Sequence, residues 1–336
     1  MANIRQIAKQ AKVSVSTVSR VLNHFPYVSE TKRKAVQDAM DQLNYSRNIN
    51  AVHLLRGKTN MIGVLLPYVN HPYFSSMMEG ITAEALRHNY RLLLCQTDYQ
   101  EHEETKALEL LREKQIDGLI ICSKTLSWDQ IEPYSSFGPI VACESVQSDS
   151  ISSVFLDHYA AFQFAIQYLI EHGHRQIGVC LSRYYSNSSE TRRKALSDCL
   201  SSIGEPVRDE WTFYDCYGME EGVEVVRRLM SLDQRPTALL VTGDQVAAGI
   251  IMEARQNGIR VPDDLAIIGF DNQPIAKILH ITTVDNQMME MGRRALSLLH
   301  TQITGEREKT EKVQLPFQLI PRSTVSNRNV SDEKQS

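Results

Sequence analysis

Five side chains in a run of six, Val15, Ser16, Thr17, Ser19 and Arg20, have the chemistry for reading a DNA groove. Hydroxyls donate to phosphate oxygens, an arginine pairs in a bidentate way with a guanine edge, and a small apolar group meets a thymine methyl. Elsewhere, Asp157 beside His158 and the Gly173-His174-Arg175 run are candidates for acid–base work, and His172 with His174 could tempt a metal. No nucleophile stands at a telling spacing from a base, so no enzyme is expected. The six cysteines (Cys95, Cys122, Cys143, Cys180, Cys199, Cys216) form no C-x-x-C pair, which predicts isolated thiols and no zinc site. No cofactor is expected.

The groove-reading side chains need a helix to carry them. Ile4, Ile7, Ala8 and Ala11 recur at helical spacing, Ser14 can cap a second helix, and Val18, Val21 and Leu22 form that helix's inward face. Two short helices joined by a tight turn make a helix-turn-helix whose second helix presents the five side chains outward. The plain alternative is an amphipathic helix pair with a polar face. Asn23 to Val28 reads as a loop, and Ser29 can cap a third helix with Val36, Ala39, Met40 and Leu43 inside. The core that three such helices share is very small. Charge agrees with groove reading. Residues 1–58 hold ten Lys and Arg against three Asp and Glu, a net +7, and the remainder carries −11 of the overall −4. A basic head on an acidic body is the footprint of a nucleic-acid-binding module attached to a second function.

From Met61 the pattern changes. MIGVLLP, YRLLLCQ, DGLIICS, PIVACES, SSVFLD, RQIGVCL, TALLVTG and LAIIGF read as apolar strands, with one more near Trp211. Helices are predicted over about 75–88, 102–114, 159–172, 189–203, 219–231 and 245–257. Continuous apolar strands alternating with helices mean parallel sheets covered on both faces. There are too many units for one doubly wound sheet, so two side-by-side α/β lobes are expected, with a ligand between them at the strand C-termini. No apolar run is long enough to cross a membrane and no signal peptide is visible, so a cytoplasmic protein is expected.

The run VSVSTVSRVLN strongly resembles the start of the lactose-repressor (LacI/GalR) family of bacterial transcription regulators. Lys12 stands in the turn where that family usually has glycine, so a slightly strained turn is expected. TNMIGVLLP, NHPYF, IDGLII, YLIEHGHRQIGV, RPTALLV, DQVAAG, VPDDLAIIGFDN and ITTVDN then follow in the family's order. The resemblance implies an N-terminal all-α helix-turn-helix headpiece (1–46), a hinge helix (47–58) and an α/β two-lobed periplasmic-binding-protein-like sensor domain (59–325). The first lobe would be about 61–160 plus 290–320 and the second about 161–289, before a disordered tail, 326–336. Base contacts are expected from Val15, Ser16 and Arg20, and backbone contacts from Asn3, Ser14, Thr17, Ser19, Asn23 and Tyr27. In the hinge, Asn48, Ala51 and Leu54 would meet the minor groove, Leu54 as a wedge that unstacks a base step. Arg47 and Val52-His53 depart from the Pro and Arg-Ser common there.

For an effector, the resemblance implies Phe74, Cys122, Glu144, Phe155, Arg192, Tyr217, Asp271 and Asn286. Such types suit a sugar: carboxylates and amides bond vicinal hydroxyls, an arginine holds ring oxygens, and aromatics cover the apolar ring faces. Cys122 stands where the lactose repressor has an Asn, Tyr217 where it has a Trp, and Asn286 where it has a Gln. Thr242-Gly243-Asp244 replaces the common Ala-Asn-Asp, which favours a bulkier effector such as an oligosaccharide, or a water or Asp244 in the lost amide's role. The expected whole is a homodimer on a pseudo-palindromic double-stranded DNA operator, nucleoid-associated, repressing carbohydrate-utilisation genes until a sugar binds. Within the same resemblance, the alternative is global carbon control with a phosphorylated phosphocarrier protein as corepressor. An enzyme or a transport-binding protein on the two-lobed fold is the third class.

Overall fold

Three short helices, α1 (Ile4–Gln10), α2 (Val15–Leu22) and α3 (Glu30–Gln42), close around Ile7, Ala8, Val18, Val21, Val36 and Ala39. They belong to a computed structural model that describes residues 3–23, 25–45, 57–306 and 309–328. Contacts divide the chain into two units, Met1–Thr59 and Asn60–Ser336. In the first, helix starts are fixed by side chains that satisfy otherwise unpaired amides. Ser14 Oγ accepts from the Thr17 amide at 3.1 Å. Asn3 and Gln6 form a reciprocal capping box, with bonds of 3.0 and 2.8 Å. Ser29 does occupy the cap position of α3, but its side chain makes no capping bond, contrary to its expected role. Lys12 takes φ +52°, the left-handed turn conformation expected where glycine is absent.

The second unit contains two six-stranded sheets. The first is made of β1 (Met61–Leu66), β2 (Arg91–Gln96), β3 (Gly118–Ile121), β4 (Ile140–Ala142), β5 (Ser152–Leu156) and β11 (Lys312–Leu315). Its order is β11-β5-β4-β3-β1-β2, parallel throughout. The second is made of β6 (Ile177–Cys180), β7 (Thr212–Phe213), β8 (Ala238–Val241), β9 (Ala266–Phe270), β10 (Thr282–Asp285) and β12 (Gln318–Ile320). Its order, β12-β10-β9-β8-β6-β7, repeats the first, except that the edge strand β12 is antiparallel to β10. That pairing corrects one boundary. The first lobe does not extend to about 320; the last crossing falls between Leu315 and Gln318. The expected disordered tail, 326–336, is corrected at its start, where the Arg328 amide donates to the His172 carbonyl at 3.0 Å; residues 329–336 lie outside the described residues.

Helices cover the sheets. The first lobe carries α4 (Pro72–Arg87), α5 (Glu101–Arg112), the single turn α6 (Trp128–Ile131) and, after β10, α12 (Met288–Thr304). The second carries α7 (His158–Glu171), α8 (Asn187–Ser202), α9 (Met219–Met230), α10 (Asp244–Gln256) and α11 (Pro274–Ile278). Each lobe has one helix pair in backbone contact, made possible by glycine. A Cβ on Gly80 of α4 would lie 1.9 Å from the Met289 carbonyl oxygen, and one on Gly292 of α12 would lie 2.0 Å from that of Met77. In the second lobe a Cβ on Gly222 of α9 would meet the Val246 oxygen at 2.3 Å, and one on Gly249 of α10 the Met219 oxygen at 2.1 Å.

Candidate functional site

In the first unit, α2 turns the expected groove-reading residues outward. Val15 is 47% exposed although apolar, Ser16 and Arg20 are exposed, and Thr17 and Ser19 are half-buried. Ser14 Oγ lies 2.8 Å from Ser16 Oγ and 2.9 Å from Thr17 Oγ1, so these hydroxyls form one cluster at the helix start. Tyr27 is 90% exposed. Asn3 is committed to its capping box, and Asn23 Nδ2 donates to the Ser19 carbonyl at 2.9 Å. The hinge residues Asn48, Ala51 and Leu54 lie outside the described residues.

In the second unit, the strand C-termini of both sheets face a cavity of about 420 Å³. Phe74, Cys122, Glu144, Arg192, Tyr217 and Asp271, all expected there, line it. Two residues, His71 and Arg183, bond from one lobe to the other beside it. His71 Nε2 donates to the Tyr217 carbonyl at 3.1 Å, and its Nδ1 accepts the Tyr73 amide at 3.3 Å. Arg183 Nη2 donates to the Lys124 carbonyl at 3.3 Å while its guanidinium stacks 3.8 Å over the Tyr99 ring.

Arg192 projects from the second turn of α8 and is buried. Its Nη2 donates to His158 Nδ1 at 3.3 Å, while its buried Nε has no hydrogen-bond partner. Burial first, and the Arg192 charge second, push His158 well below the ordinary histidine range, which suits a neutral acceptor. The rings of Phe162 and Phe270 face the guanidinium at 5.3 and 5.9 Å. Asp271 sits just past β9 with φ +92°, and Asn272 follows at +48°, an uncommon backbone for two residues with side chains. The surroundings hold it there. The Asp271 amide donates to the Val284 carbonyl at 2.8 Å, and Arg322 Nη2 donates to Asn272 Oδ1 at 2.7 Å. Burial raises the Asp271 carboxyl above the usual carboxylate range, opposed by the Asn286 bond.

Three expectations need correction. Asn286 does not line the cavity; it is buried behind it and donates from Nδ2 to Asp271 Oδ1 at 2.7 Å, so it orients a lining residue. Phe155 does not line it either. Val154 and Leu156 enter the lobe's main core, and strand alternation turns Phe155 to the other face of β5. Asp244 cannot replace the amide missing at Gly243. It is fully buried, accepting from the Gln273 amide at 2.7 Å and the Thr283 hydroxyl at 2.6 Å. Burial, helped by Asp271, pushes its carboxyl up to about 8.

The cavity also has walls that motif reading missed: Tyr68, Tyr99, Lys124, Trp128, His158 and Arg183. Of these, Tyr68, Tyr99, Lys124 and Arg183 each fall within three residues after an apolar strand. The rule that ligands bind outside strand C-termini would have found them. Cys122 and Cys143 form part of the wall, and their contact and burial keep the Cys143 thiol protonated, well above its ordinary value. Among the described residues, no group of three or more His, Cys, Asp or Glu is placed to hold a metal ion. No described helix is long and apolar enough to cross a membrane.

Comparison with known proteins matches both units. Residues 3–48 match the bacterial regulatory proteins of the lacI family, and residues 59–323 match the periplasmic binding proteins and sugar binding domain of the LacI family. The uncharacterized HTH-type transcriptional regulator YkvZ of Bacillus subtilis (strain 168) is 42% identical over 97% of this chain and 100% of its own length. A LacI family transcriptional regulator from Lactobacillus casei, solved with bound sucrose, has a TM-score of 0.73 and 27% identity, over 79% of this chain and 99% of that one. The lac repressor dimer bound to operator and the anti-inducer ONPF shares the fold, with a TM-score of 0.83 and 24% identity over 97% of this chain and 99% of that one. Head and body thus match one family in sequence order, and the chain belongs to the LacI family of bacterial transcriptional regulators.

Proposed function

We propose that this regulator is a dimeric repressor of carbohydrate-utilisation genes, released from a pseudo-palindromic operator when a sugar enters the cleft between its lobes. The observation that carries it is the cavity itself. Arg192 and Asp271 offer hydrogen bonds from one lobe, Phe74 and Tyr99 offer ring faces from the other, and the volume suits a small ligand. The sugar bound in the Lactobacillus casei relative supports the class of ligand. In the headpiece, Val15, Ser16 and Arg20 would read bases, while Ser14, Thr17, Ser19 and Tyr27 would hold phosphates. One headpiece covers one half-site, so two copies are needed for the whole operator. The effector acts only through its unequal affinity for the DNA-competent and released states. The site binds rather than catalyses: His158, its most tempting base, already accepts from Arg192.

The test is fluorescence anisotropy of the full chain on a duplex selected from random-sequence DNA, titrated with mono-, di- and oligosaccharides and their phosphates. The expected result is submicromolar binding by the chain alone, reversed by one sugar. Arg192→Ala should keep DNA binding and need at least about tenfold more sugar for release. Binding only in the presence of a phosphorylated phosphocarrier protein would overturn this function in favour of global carbon control.

A further inference from the structure

The charges in the cleft do not balance. Three cations line it, Lys124, Arg183 and Arg192, against two carboxylates, Glu144 and Asp271. Glu144 is taken, its Oε1 lying 3.4 Å from Lys124 Nζ. Asp271 accepts the side-chain amides of Asn286 at 2.7 Å and Gln273 at 3.0 Å, and makes no ion pair with either arginine. Arg183 and Arg192 therefore face the cavity without a carboxylate at ion-pair distance among the described residues. A buried guanidinium with no carboxylate in direct contact is costly, and Arg192, which feels the Asp271 charge only from beyond ion-pair distance, is 8% exposed with its Nε unpartnered.

A second feature points the same way. The sixteen-residue helix α8 begins at the cavity wall, where Ser186, Asn187 and Ser188 line it. Ser186 Oγ caps the Ser189 amide at 3.1 Å. The amides of Asn187 and Ser188 stand in the first turn, where helix geometry supplies no partner and the helix dipole favours negative charge. Glu190, the acidic residue of that turn, is exposed and does not line the cavity.

We infer that the effector is anionic: a sugar bearing a phosphate or carboxylate group, held by Arg183, Arg192 and the start of α8. This rests on the cleft being the effector site. Helix amides and arginine forks recognise either group in the same way, through charge-assisted and often bidentate bonds. The ring carrying the anion would lie toward Tyr99, Trp128 and Tyr217.

The test is isothermal titration calorimetry of the full chain with matched sets: glucose, glucose 6-phosphate, glucuronate and glucosamine; fructose and fructose 6-phosphate; sucrose and sucrose 6-phosphate; and inorganic phosphate. The expected result is that within at least one set the anionic member binds at least about thirtyfold tighter than its neutral parent. A phosphate preference and a uronate preference separate the two anion sources. Arg183→Ala should weaken the anionic ligand at least about tenfold, and Arg183→Lys should restore part of it. Neutral sugar bound as tightly as its anionic partner, preference for glucosamine, an unchanged affinity in Arg183→Ala, or no heat from any member including phosphate would each overturn the inference. Operator release by a neutral sugar would do so while leaving the sugar-responsive function standing.

Discussion

Each lobe of the sensor buries one carboxylate behind its half of the cavity, and the two are held differently. In the first lobe Glu104, fully buried, accepts the Thr125 amide at 2.7 Å and the Leu126 amide at 2.8 Å, anchoring the loop that carries Lys124. In the second, Asp244 accepts the Gln273 amide at 2.7 Å and the Thr283 hydroxyl at 2.6 Å, anchoring the loop that carries Asp271. Burial raises both carboxyls. The difference lies in the partners. Backbone amides only donate, so Glu104 must offer two acceptor oxygens. A hydroxyl both donates and accepts, so Asp244 can hold a proton and donate a hydrogen bond to Thr283 Oγ1, reversing that bond rather than breaking it.

The helix pairs of the two lobes offer the largest test of their likeness. Gly80→Ala in the first lobe and Gly222→Ala in the second should each destabilise the chain by about 3 kcal/mol, because the added methyl overlaps a carbonyl oxygen on the facing helix. Urea unfolding reads this, and a neutral result in either lobe would mean that its helices slide apart and the likeness is only topological. Next comes Glu104→Gln. Its amide nitrogen would meet a backbone N–H, leaving a donor unsatisfied, and the cost should be about 2 kcal/mol. The smallest effect belongs to Asp244→Asn, which reproduces the protonated pattern by accepting from Gln273 and donating to Thr283. At pH 6 it should change stability by less than about 1 kcal/mol.

Its signature is instead pH dependence. The folded carboxyl titrates at about 8 against an ordinary 3.8, so the folded chain keeps a proton that the unfolded chain has lost. Stability therefore falls as pH rises from about 4 to about 8. Calorimetric Tm values between pH 6 and 9 should fall less steeply in Asp244→Asn than in the parent chain. An unchanged slope would remove the distinction between the two carboxylates.

Much of the architecture was readable from residues alone. The α2 face was set by Val18 and Val21 recurring among hydroxyls, and the strands of both sheets up to β9, except the two-residue β7, stood out as apolar runs. Residues after Asp271 were harder, because β11 and β12 are short, half-exposed and separated by Pro316-Phe317, with no apolar run to mark which sheet each joins. Phe155 shows a different limit. In Ser-Ser-Val-Phe-Leu the apolar residues do not alternate, so periodicity cannot say which face a side chain takes. Arg183 and Lys124 carry no motif; only the meeting of two sheets makes neighbours of them.

The glycine crossings have a mechanical meaning. Side-chain layers between helices can be compressed or re-packed, but peptide groups in contact cannot, so α4 with α12, and α9 with α10, behave as stiff plates. Between two such plates, a ligand's push would not be absorbed near the cleft. It would turn one arm against the other, and an ångström gained at the cavity would become a wider sweep at the edge farthest from it.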